Sequence, residues 1–341
     1  MKLKLLAASC LSACLAFGAS ASLAADIDFS TLKHRVEDTS APVVYFTSDI
    51  SPAGLEKAFE ALGRTPSGKV AVKLSTGEAG NNHYLQPSLI KDLVQKFDAN
   101  IVECNTAYGG SRASTAVHRQ TIKDHGFDQI ATVDIMDEDG GMEIPVPNGK
   151  HLKSDLVGKN LANYDFMMVL SHFKGHAMGG FGGALKNISI GVASSHGKNR
   201  IHTAGISDEP GTFATVADGA FFRNDTKEHF MFIESMADAA SAVINYMGKG
   251  EKMLYISVMN NLSVDCDCDG DPDKPDMHDV GILASLDPVA LDQACVDIVY
   301  TAPDGKSLVE RMESRQGPHI LNAAQDLGIG QKNYQFKSLD L

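Results

Sequence analysis

The feature that most constrains the fold is an alternation of short apolar runs with segments of helical period. Apolar runs of strand length occur at 42–48, 68–75, 100–105, 129–135, 164–170, 252–260 and 280–285. Helical segments follow at 87–97, 111–126 and 228–248. Strands and helices joined by short connections in this order are typical of a parallel, doubly wound sheet. We therefore predict an α/β fold, and a division into two α/β lobes would fall within 137–159.

The two ends of the chain are expected to lie outside this α/β domain, which we place at 42–302. Residues 1–25 combine a basic start, an apolar stretch and an A-x-A-like pattern near Ala25, which is typical of a cleaved Sec-type signal peptide. Cys14 fits a lipoprotein cleavage box as the alternative. We expect an N-terminal arm at 26–41, a helical extension at 303–341, no membrane span, and a periplasmic or secreted protein.

Residues 171–205 form the candidate site, because they follow the buried strand 164–170 and ligands bind outside the carboxyl ends of parallel strands. A helix is expected at 184–193, with N-terminal amides that favour an anion. Glycines permit close approach of the backbone to a ligand. The alternative is a glycine-rich turn with surface histidines. The candidate cofactor-binding residues are Lys174, Gly179, Gly180, Gly182, Gly183 and Asn187.

The segment 265–276, DCDCDGDPDKPD, supports two kinds of metal site. Soft ligands for a transition metal would come from Cys266 and Cys268, with His172, His202 and Asp267 beside them. The alternative is a calcium loop, because aspartates recur at the spacing of an EF-hand. A solvated acidic loop is the third reading. The aspartates of the calcium alternative are Asp265, Asp267, Asp269, Asp271 and Asp276.

The cysteines of the mature chain are expected to form disulfides in an oxidising compartment. A direct bridge between Cys266 and Cys268 would close a small ring. The expectation is therefore that these cysteines pair with Cys104 or Cys295, or share a metal.

Two segments resemble the family called domain of unknown function 362. They are the run SHFKGHAMGGFGGALKN at 171–187 and the run CDCDGDPDKPDMHDVGILASLDPVALDQA at 266–294. Many members of that family also carry a ferredoxin-like, cluster-binding insert, but this sequence has no C-x-x-C-x-x-C run. An iron–sulfur role is therefore not supported by its own cysteines.

A more distant resemblance is to the core of the nickel-pincer lactate racemase family. Nine residues separate His176 from Lys186, and fifteen separate Lys186 from His202. The resemblance implies that His176 is a proton-transferring base, that Lys186 tethers an organic cofactor and that His202 ligates the metal. The second base of that family has no counterpart in NTAYGGSR at 105–112, which contains no histidine.

The net charge of −13 makes nucleic acid a poor partner for the surface of this protein. We expect an exported enzyme that depends on a metal ion or metal cofactor and acts on a small anionic substrate. The reaction would be proton abstraction, isomerisation or redox chemistry on a carboxylate, with His176, Lys186 and His202 as catalytic residues. The metal would be a transition metal, with calcium as the alternative, and the organic cofactor stays unidentified. The second hypothesis is a non-catalytic periplasmic metal-binding protein. The sequence leaves the oligomeric state open.

Overall fold

A computed structural model describes residues 27–340 of the chain. Residues 1–26, which include the predicted signal peptide, and residue 341 lie outside this range. The strands are β1 (Val43–Thr47), β2 (Val70–Lys73), β3 (Asn100–Glu103), β4 (Val133–Ile135), β5 (Gly141–Pro145), β6 (Ser154–Gly158), β7 (Phe166–His172), β8 (Lys174–His176), β9 (Gly180–Gly182), β10 (Met253–Met259), β11 (Gly281–Ser285) and β12 (Gln335–Ser338). The helices are α1 (Pro52–Ala61), α2 (Pro87–Lys96), α3 (Thr115–Asp124), α4 (Ala184–Ile188), α5 (Ser195–His202), α6 (Lys227–Tyr246), α7 (Pro288–Thr301), α8 (Lys306–Ser314) and α9 (His319–Asp326).

One eight-stranded sheet organises the protein, in the order β12-β1-β11-β10-β7-β2-β3-β4. The pairings β10·β7, β7·β2, β2·β3 and β3·β4 are all parallel. Only β11 runs antiparallel to both of its neighbours, β1 and β10. Strands β7 and β10 are buried along their whole length, which is typical of a sheet covered by helices on both faces. The predicted α/β fold with a largely parallel sheet is confirmed.

The chain ends belong to the same core, which differs from the expected arm and helical extension. Strand β12 pairs in parallel with β1 and forms one edge of the main sheet. The carboxylate of Asp297 on α7 accepts hydrogen bonds from the ring of His34 and from the hydroxyl of Tyr334. Residues 27–41 and 303–340 therefore pack on the α/β domain. The sequence missed this because the contacts join residues hundreds of positions apart.

The segment 137–159 contains a two-stranded antiparallel pair, β5 and β6. This pair occupies the stretch in which a boundary between two lobes was expected. Among residues 27–340, no helix is long and apolar enough to cross a membrane.

The run 171–205 is more regular than the predicted loop. It continues β7, forms the small antiparallel pair β8–β9, and then forms the short helices α4 and α5. The predicted helix 184–193 is correct at its start but ends at Ile188.

The first turn of α4 is capped by a residue from α7, and this corrects the expectation that its amides face a ligand. The backbone N–H groups of Ala184 and Leu185 donate to the two carboxylate oxygens of Asp292, at 2.7 and 2.9 Å. Gly183 is required here, because a Cβ at this position would lie 2.4 Å from Oδ1 of Asp292. Burial raises the pKa of Asp292 to about 7, against the effect of these two N–H groups. The anion at this helix end is supplied by the protein.

We expect Asp292→Ala to lower the free energy of unfolding by about 2 kcal/mol or more, because two buried N–H groups lose their acceptors. Urea unfolding followed by circular dichroism measures this change. Asp92→Ala, at an exposed position of α2, is the matched control and should leave the free energy nearly unchanged. Equal stability of Asp292→Ala and the wild-type protein would contradict the capping role.

Candidate functional site

A cavity of about 350 Å³ opens at the carboxyl ends of the parallel strands β2, β3 and β7. The segments that follow these strands and β10 supply its walls. Its polar lining residues are Lys73, Ser75, Glu103, Thr106, Tyr108, Arg112, Ser171, His172, Lys174, His176, Lys186, Asn187, Lys198, His202, Asp265, Asp267 and Asp269, with Cys104, Cys266 and Cys268 beside them. The structure thus brings most of the predicted site residues to one place. It also shows a partly apolar wall that includes Met178, Phe213 and Phe222.

The cavity holds more positive charge than its own carboxylates balance. Lys174 pairs with Asp267 at 2.7 Å, and Arg112 pairs with Glu78 and Glu103, both at 3.2 Å. The other three lysines, Lys73, Lys186 and Lys198, form no ion pair within residues 27–340. The lining has five basic side chains against four carboxylates, which leaves an excess of one positive charge that favours an anion.

Two of these three lysines are satisfied by oxygen atoms of the protein. Lys73 Nζ donates to the carbonyl of Leu74 at 2.6 Å and to Asn187 Oδ1 at 3.0 Å. Lys198 Nζ donates to the carbonyl of Ala193 at 2.6 Å. Burial lowers the pKa of Lys73 to about 8, although the charge of Glu103 opposes this effect. These two side chains contribute positive charge to the cavity from fixed positions.

Lys186 differs, because its ammonium has no hydrogen-bond partner within the described residues and faces the cavity that it lines. The side chain is only partly exposed. Burial, reinforced by the neighbouring charge of Lys174, lowers the pKa of Lys186 to about 7. An amine with such a pKa is partly neutral near pH 7 and therefore nucleophilic. Lys186 is the cation of this site that is available to a ligand.

The ring of His202 has one nitrogen available to the cavity. Its Nδ1–H donates to the carbonyl of Lys198 at 2.6 Å, and Nε2 has no hydrogen-bond partner within residues 27–340. The ring stacks on Phe232 with 5.0 Å between centroids. Burial lowers the pKa of His202 to about 4, so the ring is neutral near pH 7 and Nε2 carries a lone pair. This is the state in which histidine binds metals.

His176 holds its proton on the opposite nitrogen. Its Nδ1 accepts from the backbone N–H groups of Met178 and Gly179, at 3.1 and 2.8 Å. Burial, with the charge of Lys186, lowers the pKa of His176 well below its usual range. The neutral ring therefore carries its proton on Nε2, which lies 3.8 Å from Cys268 Sγ. This nitrogen is a hydrogen-bond donor, which differs from the role of base that the resemblance implies.

His172 is occupied by contacts within the protein and is not placed as a metal ligand. Its Nδ1 lies 2.7 Å from Asp267 Oδ1, and its Nε2 lies 2.6 Å from the carbonyl oxygen of Asn260. Both of these oxygens are acceptors, so both ring nitrogens donate. Burial raises the pKa of Asp267, but the charges of Lys174 and His172 outweigh it and hold this pKa well below its usual range. Asp267 thus anchors Lys174 and His172 beneath the cavity.

Cys266 and Cys268 form a disulfide with each other, which corrects the expectation that they pair with Cys104 or Cys295. A separation of two residues is enough here, because the turn brings their Cα atoms to 5.1 Å. Cys104 and Cys295 are free and buried. Burial raises the pKa of both of these thiols.

The sulfur atoms of Cys266 and Cys268 and one ring nitrogen of His176 lie within 4.8 Å of one another, close enough to hold one ion. His202 is not part of this group. Within residues 27–340, the aspartates of the proposed calcium loop form no such group. Asp267 turns inward to Lys174, and Asp265 pairs with Arg311 at 3.0 Å. The structure therefore does not bring the carboxylates of this loop around one cation.

The glycines and Asn187 serve packing within the chain. Gly180 has a φ of +80°, and a Cβ there would lie 2.7 Å from the Cα of Gly317. The side-chain amide of Asn187 donates to the carbonyls of Lys73 and Leu170, at 3.2 and 3.1 Å. Of the predicted glycines, Gly182 and Gly183 line the cavity. The close approaches that these residues permit are to other parts of the protein.

Sequence reasoning missed the side of the cavity formed by β2 and β3. Glu103, the last residue of β3, accepts from His118 Nε2 at 3.0 Å as well as from Arg112. Burial raises the pKa of Glu103, but His118 and Arg112 outweigh it and hold this pKa well below its usual range. The sequence does contain a signal for this side of the cavity, because each of these otherwise apolar strands ends in a charged residue, Lys73 or Glu103.

Comparison with protein families identifies the chain. The model of the family described as Domain of unknown function (DUF362) matches residues 70–297, which is more than half of the chain. The chain belongs to this family. The matched residues include β2, β3, β7 and the whole of the two segments on which the resemblance was based. No curated protein sequence matches the chain.

Two solved structures are distantly similar to this member of the family. The lactate racemase apoprotein from Thermoanaerobacterium thermosaccharolyticum is 14% identical, with a TM-score of 0.37, over 63% of this chain and 50% of that one. A protein from Thermotoga maritima is 12% identical, with a TM-score of 0.38, over 81% of this chain and 58% of that one. The chain thus spans little more than half the length of these proteins. Likenesses of this strength do not transfer an activity.

We expect Lys186→Met to stabilise the protein most strongly at low pH. The pKa of Lys186 is about 7 in the folded state and 10.5 as its ordinary value, so the unfolded chain binds more protons between these values. The free energy of unfolding of the wild-type protein therefore rises with pH between about 7 and 10.5. The cost of burying the charged amine is largest below about pH 7. The variant has no buried charge at this position, so the difference between its free energy of unfolding and that of the wild-type protein should shrink as pH rises.

Urea unfolding at about pH 6.5 and about pH 9.5 measures this trend. Lys123→Met, at an exposed position of α3, is the control and should show no pH-dependent difference. An advantage of Lys186→Met that is the same at both pH values would show that Lys186 keeps its ordinary pKa.

Proposed function

We propose that this protein is an exported enzyme that acts on a small carboxylate held in the cavity at the carboxyl ends of β2, β3 and β7. The observation that carries the proposal is Lys186, a partly neutral amine without an ion pair that faces a positively charged cavity. Structural lysines usually keep their ammonium in water, because burying an unpaired charge is unfavourable. Groups held in this way cluster at functional sites.

The reaction class that suits these residues is proton abstraction or isomerisation next to the carboxylate. The neutral form of Lys186 would accept the proton that leaves the substrate. Lys73 and Lys198 would add positive potential that attracts the carboxylate and favours the anionic form of the substrate after that proton has left. His176 would donate its Nε2–H to a substrate oxygen, because two backbone amides hold its proton on that nitrogen. The apolar wall with Met178 and Phe213 would exclude water from the reacting atoms.

A metal-bearing cofactor fits one histidine of the site better than the others. His202 offers a neutral ring with a free Nε2, fixed by the hydrogen bond from Nδ1–H to the carbonyl of Lys198. His172 has no free ring nitrogen, and Cys266 and Cys268 are bonded to each other. We therefore assign the ligand role to His202. Such a group would act as a Lewis acid or electron acceptor towards the bound substrate.

Reductive labelling with pyridoxal 5′-phosphate, an anionic aldehyde, tests the role of Lys186. We expect borohydride trapping near pH 7 to modify Lys186 ahead of the exposed Lys123, because only the former is both partly neutral and inside a cationic cavity. Peptide mass mapping identifies the modified residue. Lys186→Arg should fold normally and lose this labelling, since a guanidinium forms no imine. Labelling spread evenly over the surface lysines would refute the proposal.

A metal-binding protein without turnover is the second candidate, supported by the group of His176, Cys266 and Cys268. Two thiolates would be soft ligands for a transition metal once the disulfide is reduced. We expect the reduced protein to bind cobalt(II) with a thiolate charge-transfer band and the oxidised protein to lack that band. Changing both Cys266 and Cys268 to Ser should abolish the band, and Cys104→Ser should retain it. A band in the oxidised protein or in the double variant would exclude this site.

A further inference from the structure

We propose that Cys266–Cys268 is a redox-active disulfide that exchanges with a small anionic thiol entering the cavity. This activity goes beyond the proposed function, because it requires neither a metal ion nor turnover of a carboxylate substrate. It gives a role to Cys266 and Cys268, the only cysteines of residues 27–340 that are bonded to each other.

Access distinguishes Cys268 from the other cysteines of residues 27–340, because Cys266 is, like Cys104, only 4% exposed. Cys266 and Cys268 both line the cavity, and Cys268 is partly exposed. Cys104 is only 4% exposed, and its thiol donates to the carbonyl of Val192 at 3.3 Å. Cys295 is fully buried. A thiol that enters the cavity therefore meets Cys268 as an accessible, oxidised sulfur, which is where exchange begins.

Each sulfur of the pair has a hydrogen-bond donor of its own. The backbone N–H of Cys268 lies 3.3 Å from Cys266 Sγ. On the other side, His176 Nε2 lies 3.8 Å from Cys268 Sγ, and its proton is held there because Nδ1 accepts from two backbone amides. Donors in these positions stabilise the thiolate that leaves when the S–S bond breaks.

The exchange has two steps. The thiolate of the small molecule attacks Cys268 Sγ, the bond to Cys266 Sγ breaks, and its electron pair leaves on Cys266 beside the N–H of Cys268. A second thiolate then attacks the small-molecule sulfur of this mixed disulfide, and Cys268 leaves as a thiolate facing His176. Two thiols are oxidised to one small-molecule disulfide, the protein disulfide is reduced by two electrons, and the two thiol protons go to the cysteines or to solvent.

Positive charge next to the disulfide selects the thiol. Lys174 and Lys186 both lie close enough to His176 to lower its pKa, and His176 contacts Cys268. Lys174 is neutralised by Asp267, whereas Lys186 has no carboxylate partner within residues 27–340. A thiol that carries a carboxylate or sulfonate should therefore be concentrated at Cys268 more than a neutral thiol is.

The test compares two thiols of similar size on the oxidised full-length protein. Reduction by 2-mercaptoethanesulfonate and by 2-mercaptoethanol, matched for thiolate concentration, is stopped by alkylation and followed by mass spectrometry. We expect the sulfonate to react at least about tenfold faster with the wild-type protein. Lys186→Met should remove this advantage, whereas Lys123→Met should leave the ratio of the two rates as it is in the wild-type protein.

His176→Ala provides a second readout. The mixed disulfide on Cys268 should accumulate in this variant, because the thiolate that leaves in the second step has lost its donor. Equal rates for the two thiols in the wild-type protein would overturn the preference for an anion. A disulfide that resists both thiols while the protein stays folded would overturn the redox activity itself. Reduction by the neutral thiol does not require an anion to bind near Lys186, so this result tests the redox activity independently of the proposed function.

Discussion

The position of Lys186 depends on α4, and α4 is held by one side chain that reaches it from α7 and by one side chain of its own. A helix of five residues has too few internal hydrogen bonds to be stable alone. Asp292 of α7 accepts from its first two amides, and the amide of Asn187 bonds to the last residues of β2 and β7. Lys186 is therefore positioned by contacts of its helix to β2 and α7, each more than 100 residues away along the chain. These anchors also explain why aspartate follows the apolar residues of DPVALDQA in this family member.

The charge of the cavity is opposite to that of the protein as a whole. The net charge is −13, whereas three lysines in the cavity have no carboxylate partner within the described residues. Backbone carbonyls accept hydrogen bonds from Lys73 and Lys198, whereas the amine of Lys186 has no acceptor within residues 27–340. An approaching anion is repelled by the surface and attracted once it enters the cavity. Repulsion grows with the charge of the anion, so this arrangement favours small anions of low charge over polyanions.

The sequence predicted the sheet well, because strand ends can be recognised from apolar runs. It also located one side of the site, since the run that begins at His172 directly follows a buried strand. It could not assign the chemistry of individual residues. His172, His176 and His202 have the same side chain, yet one is saturated, one donates from Nε2 and one offers a free Nε2. These differences depend on backbone groups in other segments, and no spacing rule encodes them.

The glycines show the same limit from another direction. A GGFGG motif indicates that backbone must approach something closely, and this was correct for Gly180 and Gly183. The neighbours proved to be Gly317 and Asp292, which lie in the last quarter of the chain. A glycine indicates that another group comes close to the backbone, but it does not indicate which group that is. The same pattern would have been expected for a phosphate, a cofactor or a packed helix.

The two proposed chemistries share His176 and Lys186, but they place the metal-bearing group and the electron exchange on different atoms. While Cys266 and Cys268 are bonded to each other, neither offers a thiolate to a metal ion. His176 Nε2 carries a proton that points to Cys268 Sγ, so this nitrogen offers no lone pair to a metal ion. His202 has the free lone pair that these groups lack. An oxidising compartment, which export would provide, keeps the disulfide in place. On the two proposals above, a metal-bearing group would bind at His202 and the cysteines would exchange electrons with a thiol.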